Sequence, residues 1–304
     1  MEAQIHRLVS DFRSGTLSRR EFLKRAAILL GGAASANALL LAATGAPIQE
    51  VAAAAGALNG QNTDSRPVLA DDTIETAMVT FDAFGSTAPG YMARPKADGI
   101  YPAVVVVQEW WGLDDHIKSV VERFAHQGYA AVAPDLYRGK VAKEPSDAQR
   151  LVMSVQMPQA LNDIQGAINY LIAQPFVQPK QAGVIGFCFG GGLAMMMSYK
   201  GQNVAAVATL YGAGVDPTDA DLQNISAPVI GFYGGKDTSV PAPRIAHWYS
   251  TLAQLGKPAE SHTYPDAMHA FFNDTRPSYN KATADDAWTR VLAWFKMYVP
   301  VKAF

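Results

Sequence analysis

The stretch "AGVIGFCFGGGLAMMM", Ala182 to Met197, decides how the rest of the chain is read. An apolar run ends at Phe187, Cys188 stands between Gly186 and Gly190, and a segment rich in alanine and methionine follows at helical composition. Strand, tight turn and helix in that order are the setting of the nucleophile elbow, G-x-S-x-G, here with cysteine in place of serine. The glycines are needed because the central residue takes a strained backbone conformation and side chains two positions away would collide with neighbouring elements. The N-terminus of the following helix favours a thiolate or an oxyanion beside it. A lone cysteine in an ordinary setting reads as a small buried hydrophobe, so this reading depends on what surrounds it.

Outward from the elbow the chain alternates short apolar runs with helical ones. "AVVVVQE" (Ala103–Glu109) is continuously apolar, as expected of a strand covered on both faces. "HIKSVVERFAHQG" (His116–Gly128) carries Ile117, Val120, Val121 and Phe124 at helical spacing and ends on glycine. "YAAVAPD" (Tyr129–Asp135) reads as the next strand and precedes a helical region of about forty residues. "AGVIGF", "VAAVATLYG" (Val204–Gly212) and "PVIGFYG" (Pro228–Gly234) are further strand candidates. This alternation predicts an α/β fold with a mostly parallel central sheet and helices on both faces, with its site at the carboxyl ends of the strands.

Two partners for Cys188 lie downstream. Asp237 follows the strand in "FYGGKD", and His269 lies in "TYPDAMHAF". Nucleophile, acid and histidine in that order is the arrangement of α/β-hydrolases. His6 lies near the start of the chain, His116, His126 and His247 fall in helical patterns, and His262 sits inside a strand. Asp266 is the rival acid, three residues from His269 on the same loop. One cysteine and scattered histidines offer no ligand spacing for a metal, and neither metal nor cofactor is expected.

The N-terminal segment reads as a separate object. Residues 1–25 carry six Lys/Arg against three Asp/Glu, and no charge follows Arg25 until Glu50. Between them runs an Ala/Leu/Gly-rich stretch, and then the small residues "VAAAAGA". That is the n-region, h-region and cleavage-zone order of an export signal. "SRREFLK", Ser18 to Lys24, resembles the twin-arginine signal, which a dedicated exporter reads. Residues 1–57 are therefore expected to be a removable signal, with the cut near Ala55 or Ala57. No permanent span is expected afterwards, and the protein should reach the periplasm or the exterior. A retained anchor is the competing reading of the apolar run. Residues 58–72 are polar and turn-rich and read as a linker. The net charge is −2 and no basic stripe occurs, so nucleic acid is excluded as a partner and a small molecule favoured.

Residues 73–304 resemble the dienelactone hydrolase family of α/β-hydrolases. Four pieces carry the resemblance: "VVVVQEWWG" with Glu109, "APDLYRG" at 133–139, "GFCFGG" with Cys188, and "GGKD" with "MHAF", which hold Asp237 and His269. The resemblance implies a hydrolase of small carboxylic esters or lactones, of carboxymethylenebutenolidase type. It implies Cys188 as nucleophile, His269 as base and Asp237 as its orienting acid, with an oxyanion hole from the N–H groups of Phe189 and Trp110. It also implies that Glu109 contacts the resting thiol and takes its proton when substrate enters.

Two departures bear on the substrate. The family places an arginine four residues after the histidine, where Asn273 stands here, and a second two residues after "DLY", where Gly139 stands. Arg276 and Arg138 are the nearest arginines, and solvated surface charge is the competing reading of both. Together with Tyr137 and Trp111 they are the candidate substrate contacts. Two other functions stay open on sequence: a non-catalytic extracytoplasmic binding protein of the same fold, and an acyltransferase in which an alcohol or thiol outcompetes water.

Overall fold

The structure is a computed structural model that describes residues 73–300, together with residues 11, 12, 14, 16–18, 21 and 22. The chain divides into two units, residues 1–71 and 72–304. Arg19, Arg20, the apolar stretch after Arg25 and the linker 58–72 lie outside the described residues.

The larger unit holds an eight-stranded sheet in the order β1-β2-β4-β3-β5-β6-β7-β8. Its strands are β1 (Ile74–Asp82), β2 (Thr87–Pro95), β3 (Tyr101–Val107), β4 (Ala130–Pro134), β5 (Val177–Phe187), β6 (Val204–Leu210), β7 (Val229–Gly234) and β8 (Ala259–Tyr264). β1 pairs with β2 and β2 with β4 antiparallel, and all other neighbours are parallel. The helices are α1 (Asp115–His126), α2 (Pro145–Ser154), α3 (Met157–Ala173), α4 (Phe189–Lys200), α5 (Asp219–Gln223), α6 (Ala242–Gln254) and α7 (Lys281–Tyr298).

The unbroken valines of β3 follow from burial on both faces. Val105 and Val107 point into a core that includes Ile164, Ile168 and Leu171 of α3 and Leu193 of α4, whereas Val104 and Val106 point to Ile117, Val120 and Phe124 of α1 and Phe295 of α7. Each such fully buried side chain contributes about 1.5–3 kcal/mol, which makes the central strands the rigid part of the fold. The forty-residue helical region resolves into α2 and α3, each beginning with proline at one of its first two positions, where the missing N–H costs nothing.

Strands β1 and β2 are additions to the sequence reading. β1 is mostly exposed along its length, so it carries no alternation that would mark it. β5 also begins five residues earlier than its apolar run, at Val177. Among the described residues no helix is long and apolar enough to cross a membrane.

Candidate active site

The parallel strands end on one edge, and the residues singled out in the sequence gather there. Glu109 follows β3, Tyr137 follows β4, Cys188 follows β5, Asp237 follows β7, and His269 lies in the loop after β8.

Cys188 has φ 53° and ψ −119°, a left-handed-side conformation that few residues other than glycine adopt. Its amide donates to the carbonyl of Leu210 at 3.0 Å, and its carbonyl accepts from Gly191, Gly192 and Ala213. Those bonds hold the strain in place. The flanking glycines are explained by contact: a Cβ on Gly186 would lie 2.0 Å from the carbonyl oxygen of Gly190, and one on Gly190 would lie 2.3 Å from that of Gln108.

Nδ1 of His269 lies 2.7 Å from Oδ2 of Asp237. Asp237 is buried, and its other oxygen accepts from the amide of Ser239 at 2.8 Å and its hydroxyl at 2.6 Å. Burial alone would raise the Asp237 pKa, but hydrogen bonds from His269 and Ser239 and the imidazolium charge hold it below the ordinary value. Asp266, the rival acid, faces Lys236 at 2.9 Å instead. Burial pushes the His269 pKa down, yet the bond to Asp237, the adjacent Cys188 sulfur and the charges of both outweigh it, and the value is raised to about 10. The remaining ring nitrogen is thereby left for Cys188. His116, His247 and His262 pair elsewhere, with Asp274, Asp219 and Glu260.

Glu109 is fully buried, and both its oxygens are engaged: the Tyr211 hydroxyl donates at 3.1 Å and Nδ2 of Asn273 at 2.7 Å. The expected resting contact between Glu109 and the thiol is not among its hydrogen bonds. Asn273 reaches Glu109 from the position where the family pattern has arginine. Its own oxygen accepts from the amide and hydroxyl of Thr275, which fixes the amide with its NH₂ toward Glu109. Tyr211 has φ 40° and packs its ring edge-on against His269 at 5.0 Å between centroids. Complete burial, with the charges of Glu109 and Cys188, raises its pKa well above the ordinary value, so it remains a donor.

Neither the Trp110 nor the Phe189 N–H has a backbone acceptor among the described residues. Phe189 is the first residue of α4, where the amide has no partner within the helix. The Tyr137 hydroxyl donates to the Trp110 carbonyl at 3.1 Å and so braces that turn.

The two arginines differ from the surface-charge reading and from each other. Arg138 makes a two-point pair with the buried Asp163, at 2.7 and 2.8 Å, and also donates to the Asp135 carbonyl. Its guanidinium is thus paired at two points, while its partly exposed side chain also lines a surface cavity with Tyr137 and Gln159. Arg276 lies with its guanidinium carbon 3.7 Å over the centre of the Trp111 ring, and Trp111 meets Trp110 edge-on. Trp111 is itself buried against Ala142 and Ala148.

Tyr211 and Ser239 were not anticipated. Tyr211 had a weak signal, a polar aromatic at the carboxyl end of a predicted strand, and Ser239 had one in its spacing from Asp237, two residues on, which suits an Asx-type turn. Among the described residues no cluster of His, Cys, Asp or Glu has the arrangement of a metal site.

A parallel sheet flanked by helices, with a strained residue at a strand-to-helix turn and a carboxylate–imidazole pair on the following loops, defines an α/β-hydrolase. The sequence model of the "Dienelactone hydrolase family" matches residues 88–299, and the chain belongs to that family. It is 35% identical over 252 residues to a protein of Yersinia pestis named "Putative carboxymethylenebutenolidase", covering 78% of this chain and 94% of that one. A protein of the same name from Escherichia coli K12 is 34% identical over 243 residues, covering 75% and 89%. Among solved structures, the "Putative Dienelactone Hydrolase" of Klebsiella pneumoniae superimposes with a TM-score of 0.68 at 33% identity, over 74% of this chain and 99% of that one. The protein is accordingly a hydrolase of this family.

Proposed function

We propose that the protein is an exported hydrolase of small carboxylic esters or lactones, working through a thioester on Cys188. The observation that carries this reading is the Asp237–His269 bond of 2.7 Å, set beside a lone thiol on a strained turn with two unengaged N–H groups next to it.

In the proposed reaction the Cys188 sulfur attacks the substrate carbonyl, and the oxygen, now negative, is held by the Phe189 and Trp110 amides. Each such donor contributes roughly 3–4 kcal/mol in a comparable hydrolase. The intermediate collapses to a thioester, and the leaving alkoxide takes the imidazolium proton. His269 then serves the second half-reaction. Its raised pKa depends partly on the charge of the neighbouring sulfur. Acylation removes that charge, so burial lowers the imidazole toward the range of a useful base, and it takes a proton from the attacking water. In this route the Cys188 proton already rests on His269, so Glu109 takes none of it. Its buried carboxylate, held by Tyr211 and Asn273, adds negative charge near the centre, and a resting thiol that gives its proton to Glu109 instead is the alternative route to the same thiolate.

The export half rests on "SRREFLK" and the apolar run after it. A protein with one cysteine has no disulfide to form outside, which suits folding before export.

The test is a panel of aryl esters, aliphatic esters and unsaturated lactones, with released acid and released alcohol counted separately. Equal release supports hydrolysis. Acid falling short of alcohol indicates acyl transfer, and binding without release indicates a non-catalytic protein. Replacing Arg19 and Arg20 by Lys should leave folded precursor in the cytoplasm, and unchanged export would remove the twin-arginine reading.

A further inference from the structure

The Ser239 hydroxyl sits between both members of the Asp237–His269 pair, 2.6 Å from Oδ1 of Asp237 and 3.0 Å from Nδ1 of His269. A serine hydroxyl has one proton to give. An ionised carboxylate oxygen accepts only, so at 2.6 Å the proton belongs to Asp237. Toward His269 the serine oxygen then offers a lone pair and nothing else. Nδ1 must therefore be the protonated nitrogen, its hydrogen shared between Oδ2 of Asp237 and Oγ of Ser239.

We propose that Ser239 is a positioning residue that sets the tautomer and bearing of His269, leaving the other ring nitrogen unprotonated and aimed at Cys188 when the imidazole is neutral. Asp237 alone would favour the same tautomer, but one bond permits the ring to swing about it. A second acceptor from a different residue removes that freedom. The inference rests on the proposed role of His269 as base. The backbone amide of Ser239 also donates to Oδ1, at 2.8 Å, and survives any side-chain change. Ser239→Ala thus removes the hydroxyl while leaving Asp237 with its amide bond and its histidine.

The experiment uses full-length protein labelled with ¹⁵N-histidine. In a Cys188→Ala background, where no thiolate holds the proton on the ring, the neutral imidazole is reached and its tautomer read from the nitrogen shifts; His269→Gln assigns the signals. The Ser239 chain should show Nδ1–H as the dominant form, Ser239→Ala a larger share of the other tautomer or loss of the downfield Nδ1–H signal through exchange, and Ser239→Thr the original spectrum. With Cys188 restored, Ser239→Ala should lower kcat about tenfold with KM little changed, and Ser239→Thr should recover it. An unchanged tautomer ratio together with an unchanged downfield Nδ1–H signal in Ser239→Ala overturns the proposal, whatever happens to turnover. Because the spectra need no substrate, they judge Ser239 separately from the ester or lactone reading, which the substrate panel decides.

Discussion

Replacing Glu109 by glutamine tests whether a buried negative charge is part of the chemistry or only part of the packing. The two side chains have nearly the same shape, so the outcome turns on hydrogen bonds and charge. Asn273 cannot turn round, because its oxygen already serves both donors of Thr275. The glutamine oxygen must then face Asn273 and its NH₂ must face Tyr211, whose hydroxyl has to accept instead of donate. The buried hydroxyl proton loses its acceptor, at a cost of about 1–3 kcal/mol. Against this, the substitution removes a fully buried charge that the described residues pair with neutral donors only, a relief of the same order or larger. The two effects nearly cancel, so stability should change by no more than about 2 kcal/mol, or roughly 4–8 °C in melting temperature for a domain of this size. On the route through Glu109, turnover should fall about 10²-fold or more, as for loss of a positioned proton acceptor. Steady-state hydrolysis of the best ester in the panel, alongside thermal unfolding, reads both. The alkylation rate of Cys188 without substrate should also change, since the thiol loses a neighbouring charge. Wild-type turnover and wild-type alkylation in a folded Glu109→Gln protein would reduce Glu109 to a structural acceptor and refute the reasoning.

Three further outcomes follow from the site. One equivalent of iodoacetamide should abolish hydrolysis by modifying Cys188, the only thiol in the chain, and Cys188→Ser should be nearly inactive; full turnover in protein shown by mass spectrometry to be alkylated would exclude the nucleophile. Asp237→Asn should bring the His269 titration down from about 10, because a raised value keeps the imidazole protonated until the pH climbs through it and the carboxylate supplies much of that preference. Turnover should drop by about 10²-fold or more, less than the ~10⁴ seen when a serine triad loses its acid, since a thiol ionises more readily; a histidine NMR titration still centred near 10 would contradict the assignment. Gly186→Ala should cost about 3 kcal/mol or more, as its Cβ would press on the Gly190 backbone at 2.0 Å, and an unshifted urea midpoint would show that the turn yields.

How much of this was legible before the fold was known depends on the range of the interaction involved. The central strands and the elbow are local statements: "AVVVVQE" is apolar at every position because both faces of its strand are covered, and Gly186 and Gly190 flank Cys188 because the turn admits no Cβ. The order Cys188, Asp237, His269 is also readable, since Cys188 and Asp237 follow apolar strands, His269 follows the polar strand β8, and strand ends converge in a parallel sheet. Strand β1 was not, because it is mostly exposed, with Phe81 its one buried residue, and has no sustained pattern to read.

What only the tertiary structure decided concerns residues whose meaning depends on a distant partner. Asn273 reads in the sequence as a missing arginine, yet 164 positions from Glu109 it donates to that carboxylate. Arg138 reads either as a substrate contact or as a loose surface charge, and its two-point pairing with Asp163 is invisible in the sequence. Tyr211 lies beyond any motif, and touches Glu109 and His269 only because β6 lies between β5 and β7. Composition and spacing report which side of a strand or helix is buried, because burial imprints a period on neighbouring residues. A hydrogen bond between side chains on different loops imprints none, since it costs one residue at each end and leaves the residues between them unconstrained.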